Sequence, residues 1–319
     1  MAIAILFFLA GLVCLILGGD WFVDGATGIA QRFHIPELLI GATVVSIGTT
    51  LPEVMVSATS AVSGHGEIAY GNALGSIICN TALIAALTIA VRPNKAGKKS
   101  LKLPVIFFFA AMAFYAVTAY VTGRFTRVAG IILLAVFLFY MAVTVRQVKT
   151  YPLTHEKEYT LKPVPMNKTI FRLIAGAALI ALGARLLVDN GTKIAQALGV
   201  PEAVIALTFV ALGTSLPELV TAVTSLLKGH GALSLGNIIG ANLFNLVLVS
   251  GLSCTLAPFS IPGERMIRGI NSTLIVDIPL AAAAMLLLCI PPLRKGRLFR
   301  SQGIILLVIY AGFLVYQFS

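Results

Sequence analysis

Charge is scarce in this sequence. Only 11% of its 319 residues are Asp, Glu, Lys or Arg, against about a quarter in soluble domains. Acids are scarcer still, 12 against 23 bases. So few charged side chains exclude an ordinary water-soluble domain. Cysteine is limited to Cys14, Cys79, Cys254 and Cys289, each in an apolar stretch and without metal-ligand spacing. They read as small buried hydrophobes, and nothing in them implies a disulfide framework. The first apolar stretch lacks a basic leader region and a small-residue cleavage site, and it runs on into Gly18-Gly19-Asp20-Trp21. It is expected to be a retained helix and not a removable signal.

What the sequence has instead is apolar length. Hydrophobic residues make up 58% of it. Runs at 131–145, 274–290 and 304–318 approach, or reach with their flanks, the roughly 20 residues that cross a hydrocarbon core. The pattern predicts an all-α, multi-pass protein of the cell membrane with ten spans, near 3–28, 37–62, 68–91, 103–121, 127–145, 170–193, 202–227, 233–257, 271–290 and 302–318. The net charge of +11 could suggest a nucleic-acid partner. Basic cytoplasmic loops explain it better, so the bilayer is the expected partner and nucleic acid is not.

The chain repeats itself. Shifted by 165 positions, 17–80 aligns with 182–245 without a gap, and about two residues in five are identical. Gly48-Thr49-Thr50-Leu51-Pro52-Glu53 falls on Gly213-Thr214-Ser215-Leu216-Pro217-Glu218. Pro36-Glu37 falls on Pro201-Glu202, Gly64-His65-Gly66 on Gly229-His230-Gly231, Gly71-Asn72 on Gly236-Asn237, and Asn80 on Asn245. The predicted halves are 1–147 and 169–319, joined by a short polar linker at 148–168. Five spans per half is an odd number, so the second half enters the membrane in the opposite sense. With the N-terminus outside, seventeen Lys and Arg lie in inner loops and five in outer ones; the positive-inside rule then puts both termini outside and the linker in the cytoplasm. Inverted repeats mark transporters with a midplane site between the halves.

The paired hexapeptides carry the densest chemistry. A proline inside a helix removes a donor and clashes with the carbonyl four residues back. Pro52 is therefore expected to free carbonyls near Gly48 and Ser46, and Pro217 those near Gly213 and Ala211. Thr49, Thr50, Thr214 and Ser215 add hydroxyls. Glu53 and Glu218 add carboxylates, which cost about 2.5–3.5 kcal/mol each at a bilayer centre and are functional by default. Two acids facing each other repel, and a divalent cation removes that repulsion. Ca²⁺, with about 6–8 oxygen ligands, suits them better than Mg²⁺. Asn80 and Asn245 are the candidate neutral ligands; their other reading is as amides that join helices.

With these residues in view, the chain resembles the calcium/cation antiporter superfamily, and within it the sodium/calcium exchanger branch in its short prokaryotic form. The resemblance covers nearly the whole chain and rests on the two Gly-Thr-(Thr/Ser)-Leu-Pro-Glu motifs, each followed by Gly-Asn-x-x-Gly. It implies that Na⁺ and Ca²⁺ alternately occupy one cluster centred on Glu53, Asn80, Glu218 and Asn245. It also implies flanking Na⁺ positions at Ser46, Thr49, Thr50, Ser76, Ala211, Thr214 and Ser215. No cofactor or protein partner is implied beyond the transported cations. Asn245 stands where potassium-dependent relatives carry Asp, and Ala241 lacks a hydroxyl that some relatives have.

Other functions make different demands. A Ca²⁺/H⁺ exchanger would use protons on the same glutamates, but that branch carries Gly-Asn-x-x-Glu, which is absent here. An intramembrane hydrolase needs two carboxylates in unlike environments, whereas the repeat makes them alike. Neither a hydrolase nor a channel explains an inverted duplication, so the chain is not expected to be an enzyme. His65 and His230 read as parts of tight turns. Asp24 and Asp189 are expected to hydrogen-bond at helix ends. Asp20 and Arg185 are expected not to touch, and Asp277, opposite Met112 in the repeat, is expected to make a local hydrogen bond.

Overall fold

Long apolar runs become long helices because a chain in lipid must satisfy its own backbone. The computed structural model describes residues 2–95, 97–150, 165–199, 213–263, 266–267 and 269–318. Its helices are α1 (Ala2–Arg32), α2 (Glu37–Val62), α3 (Gly66–Val91), α4 (Lys98–Thr122), α5 (Arg127–Thr150), α6 (Met166–Ala197), α7 (Leu216–Leu227), α8 (Gly231–Leu256), α9 (Thr273–Lys295) and α10 (Arg300–Phe318). Among the described residues nine are long and apolar enough to cross a membrane, and α7 is a shorter apolar helix. Most of the expected linker, the first part of the seventh expected span and Ala211 lie outside the described residues.

The all-α expectation holds for the spanning part only. The loops add four two-residue strands: β1 (Arg124–Phe125) pairs antiparallel with β2 (Phe259–Ser260), and β3 (Met266–Ile267) with β4 (Ile270–Asn271). Glycine closes the tight turns. Gly64 and Gly229, equivalent in the repeat, both have φ +84°, a left-handed geometry that other residues adopt only with strain.

Burial orders the helices. In α8, 89% of the most apolar stretch is inside the protein, against 28% in α1 and 22% in α6. The main core joins α2–α5 and α7–α10, with Phe244 of α8 meeting Phe137 and Tyr140 of α5. A second apolar cluster joins α1 and α6 to α2 and α8 through Phe22, Val23, Ile40, Val45, Ile180 and Leu233. Small residues let α1 and α6 approach backbone to backbone, as membrane helices do. A Cβ on Gly18 would sit 3.0 Å from the Gly176 carbonyl, and one on Gly183 2.8 Å from the Gly11 carbonyl.

The helix interiors also differ from expectation. α2 runs through Pro52 without unwinding, and the wider π turn lies earlier, at Gly41–Val45. Pro217 sits in the first turn of α7, where its missing N–H costs nothing. Further π segments occupy Cys79–Ala85 in α3, Asn245–Val249 in α8 and Thr273–Asp277 in α9. Such segments gather at functional sites.

Candidate functional site

Four helices bring the predicted residues together. α2 carries Ser46, Thr49, Thr50 and Glu53, and α3 carries Ser76 and Asn80. The turn at Gly213–Ser215 and the start of α7 carry Thr214, Ser215 and Glu218, and α8 carries Asn245. The π segment holding Asn80 packs on α7, and the one holding Asn245 packs on α2. A π turn widens the ring by one residue, so both asparagines sit where the backbone is least regular.

Close approach of α2 to α8 sets the rest. A Cβ on Gly41 would lie 3.0 Å from Gly236 Cα, and one on Gly240 2.6 Å from Ala42 Cα. Only glycine fits at either place. Ser46 Oγ lies 2.7 Å from the Gly41 carbonyl and 2.9 Å from the Asn237 carbonyl, so this hydroxyl is engaged in joining the helices. Thr49 donates to Asn237 Oδ1 at 3.1 Å. At the repeat-equivalent place Thr214 donates to Asn72 Oδ1 at 3.2 Å. Each half thus holds the hydroxyl of the other half's motif.

Inside this frame Glu53, Glu218, Asn80 and Asn245 are all fully buried. Neither carboxylate oxygen of either glutamate, and neither amide atom of either asparagine, has a hydrogen-bond partner among the described residues; the same holds for the hydroxyls of Thr50 and Ser215. The two carboxylates are near enough to repel each other, with the hydroxyls of Thr49 and Thr50 beside Glu218. A buried polar group left without a partner costs about 1–3 kcal/mol, and more when charged. Several such groups on adjoining helices leave oxygens of the kind that a hard cation takes as ligands. No group of three or more His, Cys, Asp or Glu side chains placed to hold a metal occurs among the described residues, so a cation held by the two glutamates would draw its other ligands from neutral oxygens. Ser76 is buried and lines a cavity of about 490 Å³ with Asn72, Cys79 and Thr214.

Some roles were not visible in the sequence. Asn72 and Asn237 stand in the repeated Gly-Asn pair, yet only the fold shows them as the acceptors that join the halves. Asn242, which donates to Thr81 Oγ1 at 2.7 Å, has no polar counterpart in the first half. The helix-end expectation for Asp24 is overturned. Its Oδ1 lies 2.5 Å from Lys228 Nζ and its Oδ2 3.4 Å from Arg172 Nη1, because cations from the start of α6 and from the turn after α7 reach it. Asp189 pairs with Arg185 one turn away at 3.6 Å. Asp20 and Arg185 indeed have separate partners, since Asp20 pairs with Lys228 at 2.6 Å. His230 does more than close its turn: Nδ1 lies 2.8 Å from Glu37 Oε1. Thr273 donates to Asp277 Oδ2 at 2.9 Å, the local bond expected.

Comparison with known proteins shows the family. The family of sodium/calcium exchanger proteins matches residues 3–146 and 168–319. The sodium/calcium exchanger MaX1 of Methanosarcina acetivorans is 31% identical over 98% of both chains. The inner membrane protein YrbG of Escherichia coli (strain K12) is 36% identical over 87% of each. A solved structure of the sodium-calcium exchanger NCX_Mj, soaked with 2.5 mM Na⁺ and 10 mM Sr²⁺, superposes with a TM-score of 0.83 at 30% identity, covering 98% of both chains. With nine membrane-length helices among the described residues and a family match over almost its full length, the chain is a multi-pass membrane protein of the sodium/calcium exchanger family.

Proposed function

We propose that this protein exchanges Na⁺ for Ca²⁺ across the membrane by alternating access. Glu53, Glu218, Asn80 and Asn245 hold the cation, and Ser46, Thr49, Thr50, Ser76, Ala211, Thr214 and Ser215 provide the flanking Na⁺ positions. The single observation that carries this reading is the pair of fully buried carboxylates, one from each half, whose oxygens have no hydrogen-bond partner among the described residues. Burying an unpaired charge costs several kcal/mol even after relaxation. One divalent cation, or Na⁺ ions in its place, removes both that cost and the mutual repulsion. A loaded site can then pass through the closed state that an empty one resists.

Ten crossings in two inverted halves, 1–147 and 169–319, with a cytoplasmic linker at 148–168 and both termini outside, complete the proposal. The family's two matched stretches support this division. Contacts that exchange under the repeat support the inversion. Gly11 meets Gly183 while Gly18 meets Gly176, and the repeat maps Gly11 onto Gly176 and Gly18 onto Gly183. Asp24 supports the tenth crossing. It touches Arg172 near the start of α6 and Lys228 just after α7, yet α6 has 32 residues and is about 48 Å long. This supports a return crossing that ends with α7.

Transport by proteoliposomes tests the function. An outward Na⁺ gradient is expected to drive uptake of radiolabelled Ca²⁺, whereas a pH gradient alone is not; the reverse result would favour Ca²⁺/H⁺ exchange. Glu53→Gln and Glu218→Gln are each expected to abolish uptake, by more than about 100-fold, with the protein still folded. Full exchange by either variant would contradict the site.

A further inference from the structure

One acid inside a span is left over by this mechanism. Asp277 stands one turn into α9, where an ionisable side chain is expensive and marks an ion path. Two things separate it from its repeat counterpart. The first half carries Met112 at that position, and residues 108–112 are regular helix in α4, whereas Thr273–Asp277 is a π segment. The hydroxyl of Tyr120, also on α4, donates to the Leu274 carbonyl inside that segment. Both departures from internal symmetry therefore fall on the same five residues.

Two of them, Thr273 and Asp277, face open space. A cavity of about 500 Å³ is lined by Asp277 with Tyr70, Ser272, Thr273, Tyr316 and Gln317, and among the described residues Asp277 is the only acid on its wall. Gly71, Gly75, Phe313 and Gln317 also line the neighbouring cavity of about 490 Å³, which reaches Asn72, Ser76, Cys79 and Thr214. The two cavities thus adjoin, sharing these wall residues between Asp277 and the edge of the buried cluster. Its outer wall belongs to the face of β2, through Pro262.

We infer that Asp277, with the oxygens of Ser272, Thr273, Tyr316 and Gln317, forms an outer docking site for a hydrated divalent cation on its way to the buried glutamates. The inference rests on the exchanger reading for its purpose. One carboxylate among neutral oxygens suits a cation that keeps most of its water, because it attracts without stripping the hydration shell. A charge at a cleft mouth raises the local concentration of its counter-ion, and the effect falls with ionic strength.

Two measurements test it. In proteoliposomes at low salt, Asp277→Asn is expected to raise the half-saturating Ca²⁺ concentration about three- to tenfold, only for Ca²⁺ added on the β2 face. The maximal rate should stay unaltered, the difference should shrink at high salt, and Asp277→Glu should restore the wild-type value. An equal effect from both faces, or an unchanged half-saturating concentration, overturns the site. Independently of transport, Mn²⁺ binding is followed by loss of its free-ion EPR signal in the Glu53→Gln/Glu218→Gln protein. Weak residual binding is expected there, and adding Asp277→Asn should remove it; if no binding remains before that change, the site is refuted. Wild-type protein that binds Mn²⁺ at Asp277 yet exchanges no Ca²⁺ would sink the exchanger reading and leave the docking site standing.

Discussion

Asn72 and Asn237 are equivalent in the repeat but not equally satisfied. Asn72 Nδ2 donates to Ser57 Oγ at 2.9 Å and lies 3.3 Å from the Glu53 carbonyl, whereas Asn237 Nδ2 has no partner among the described residues. The repeat explains the difference, since Ala222 stands where Ser57 would be. Ser57→Ala should make the first half resemble the second and cost about 0.5–1.5 kcal/mol, read as a lower midpoint of thermal unfolding in detergent. An unchanged midpoint would mean that water replaces the lost hydroxyl. At this scale the sequence was legible where chemistry repeats: Glu53, Glu218, Asn80 and Asn245 could be named because each has a twin. It was illegible where partners are remote. Asp24 meets Arg172 and Lys228 across 148 and 204 residues, and Glu37 meets His230 across 193; no local spacing encodes such pairs.

Among the elements, α1 and α6 depend on glycine, and the proposed ligands Asn80 and Asn245 stand in π turns. An added Cβ has a readable cost. On Gly18 it would lie 2.8 Å from Ile180 N, and on Gly183 2.9 Å from Leu15 N. Both are backbone atoms that cannot yield without parting the helices. Gly18→Ala and Gly183→Ala are therefore expected to destabilise by similar amounts, about 1–3 kcal/mol each. Gly71→Ala is the control, because nothing lies within 4 Å of the position and alanine favours helix by about 1 kcal/mol. Thermal unfolding of the three variants checks the order, and equal losses in all three would show that general helix strain, and not the α1–α6 contact, decides. Helix existence was legible from apolar length. The π segments were not, because no residue type signals one: Pro52 drew attention to the middle of α2, while the irregular turn lies at Gly41–Val45.

The whole molecule adds what neither residue nor helix reveals, namely which loops share a face. β1 pairs with β2, joining the loop before α5 to the loop after α8. Lys95 bridges Arg297, and the Asn94 carbonyl accepts from Leu298 N, joining the loop before α4 to the loop before α10. Arg92 reaches the Leu226 carbonyl at the end of α7 on that second face. The proposed ten crossings would place each of these contacts between loops of one side, and omitting the seventh would pull Leu226 away from Arg92. The second face holds Lys95, Lys98, Arg294, Lys295 and Arg297, so the positive-inside rule makes it the expected cytoplasmic one. A membrane-impermeant thiol reagent applied to intact cells should therefore label Arg124→Cys and Ser260→Cys. Lys95→Cys and Arg297→Cys should react only after the cells are opened. The background is low because Cys79, Cys254 and Cys289 are buried and Cys14 can be replaced by Ser. Labelling of all four positions in intact cells would break the alternation. Labelling of the second pair alone would invert the molecule, placing Asp277 and its cavity on the cytoplasmic side, while leaving the pairing of the two glutamates untouched.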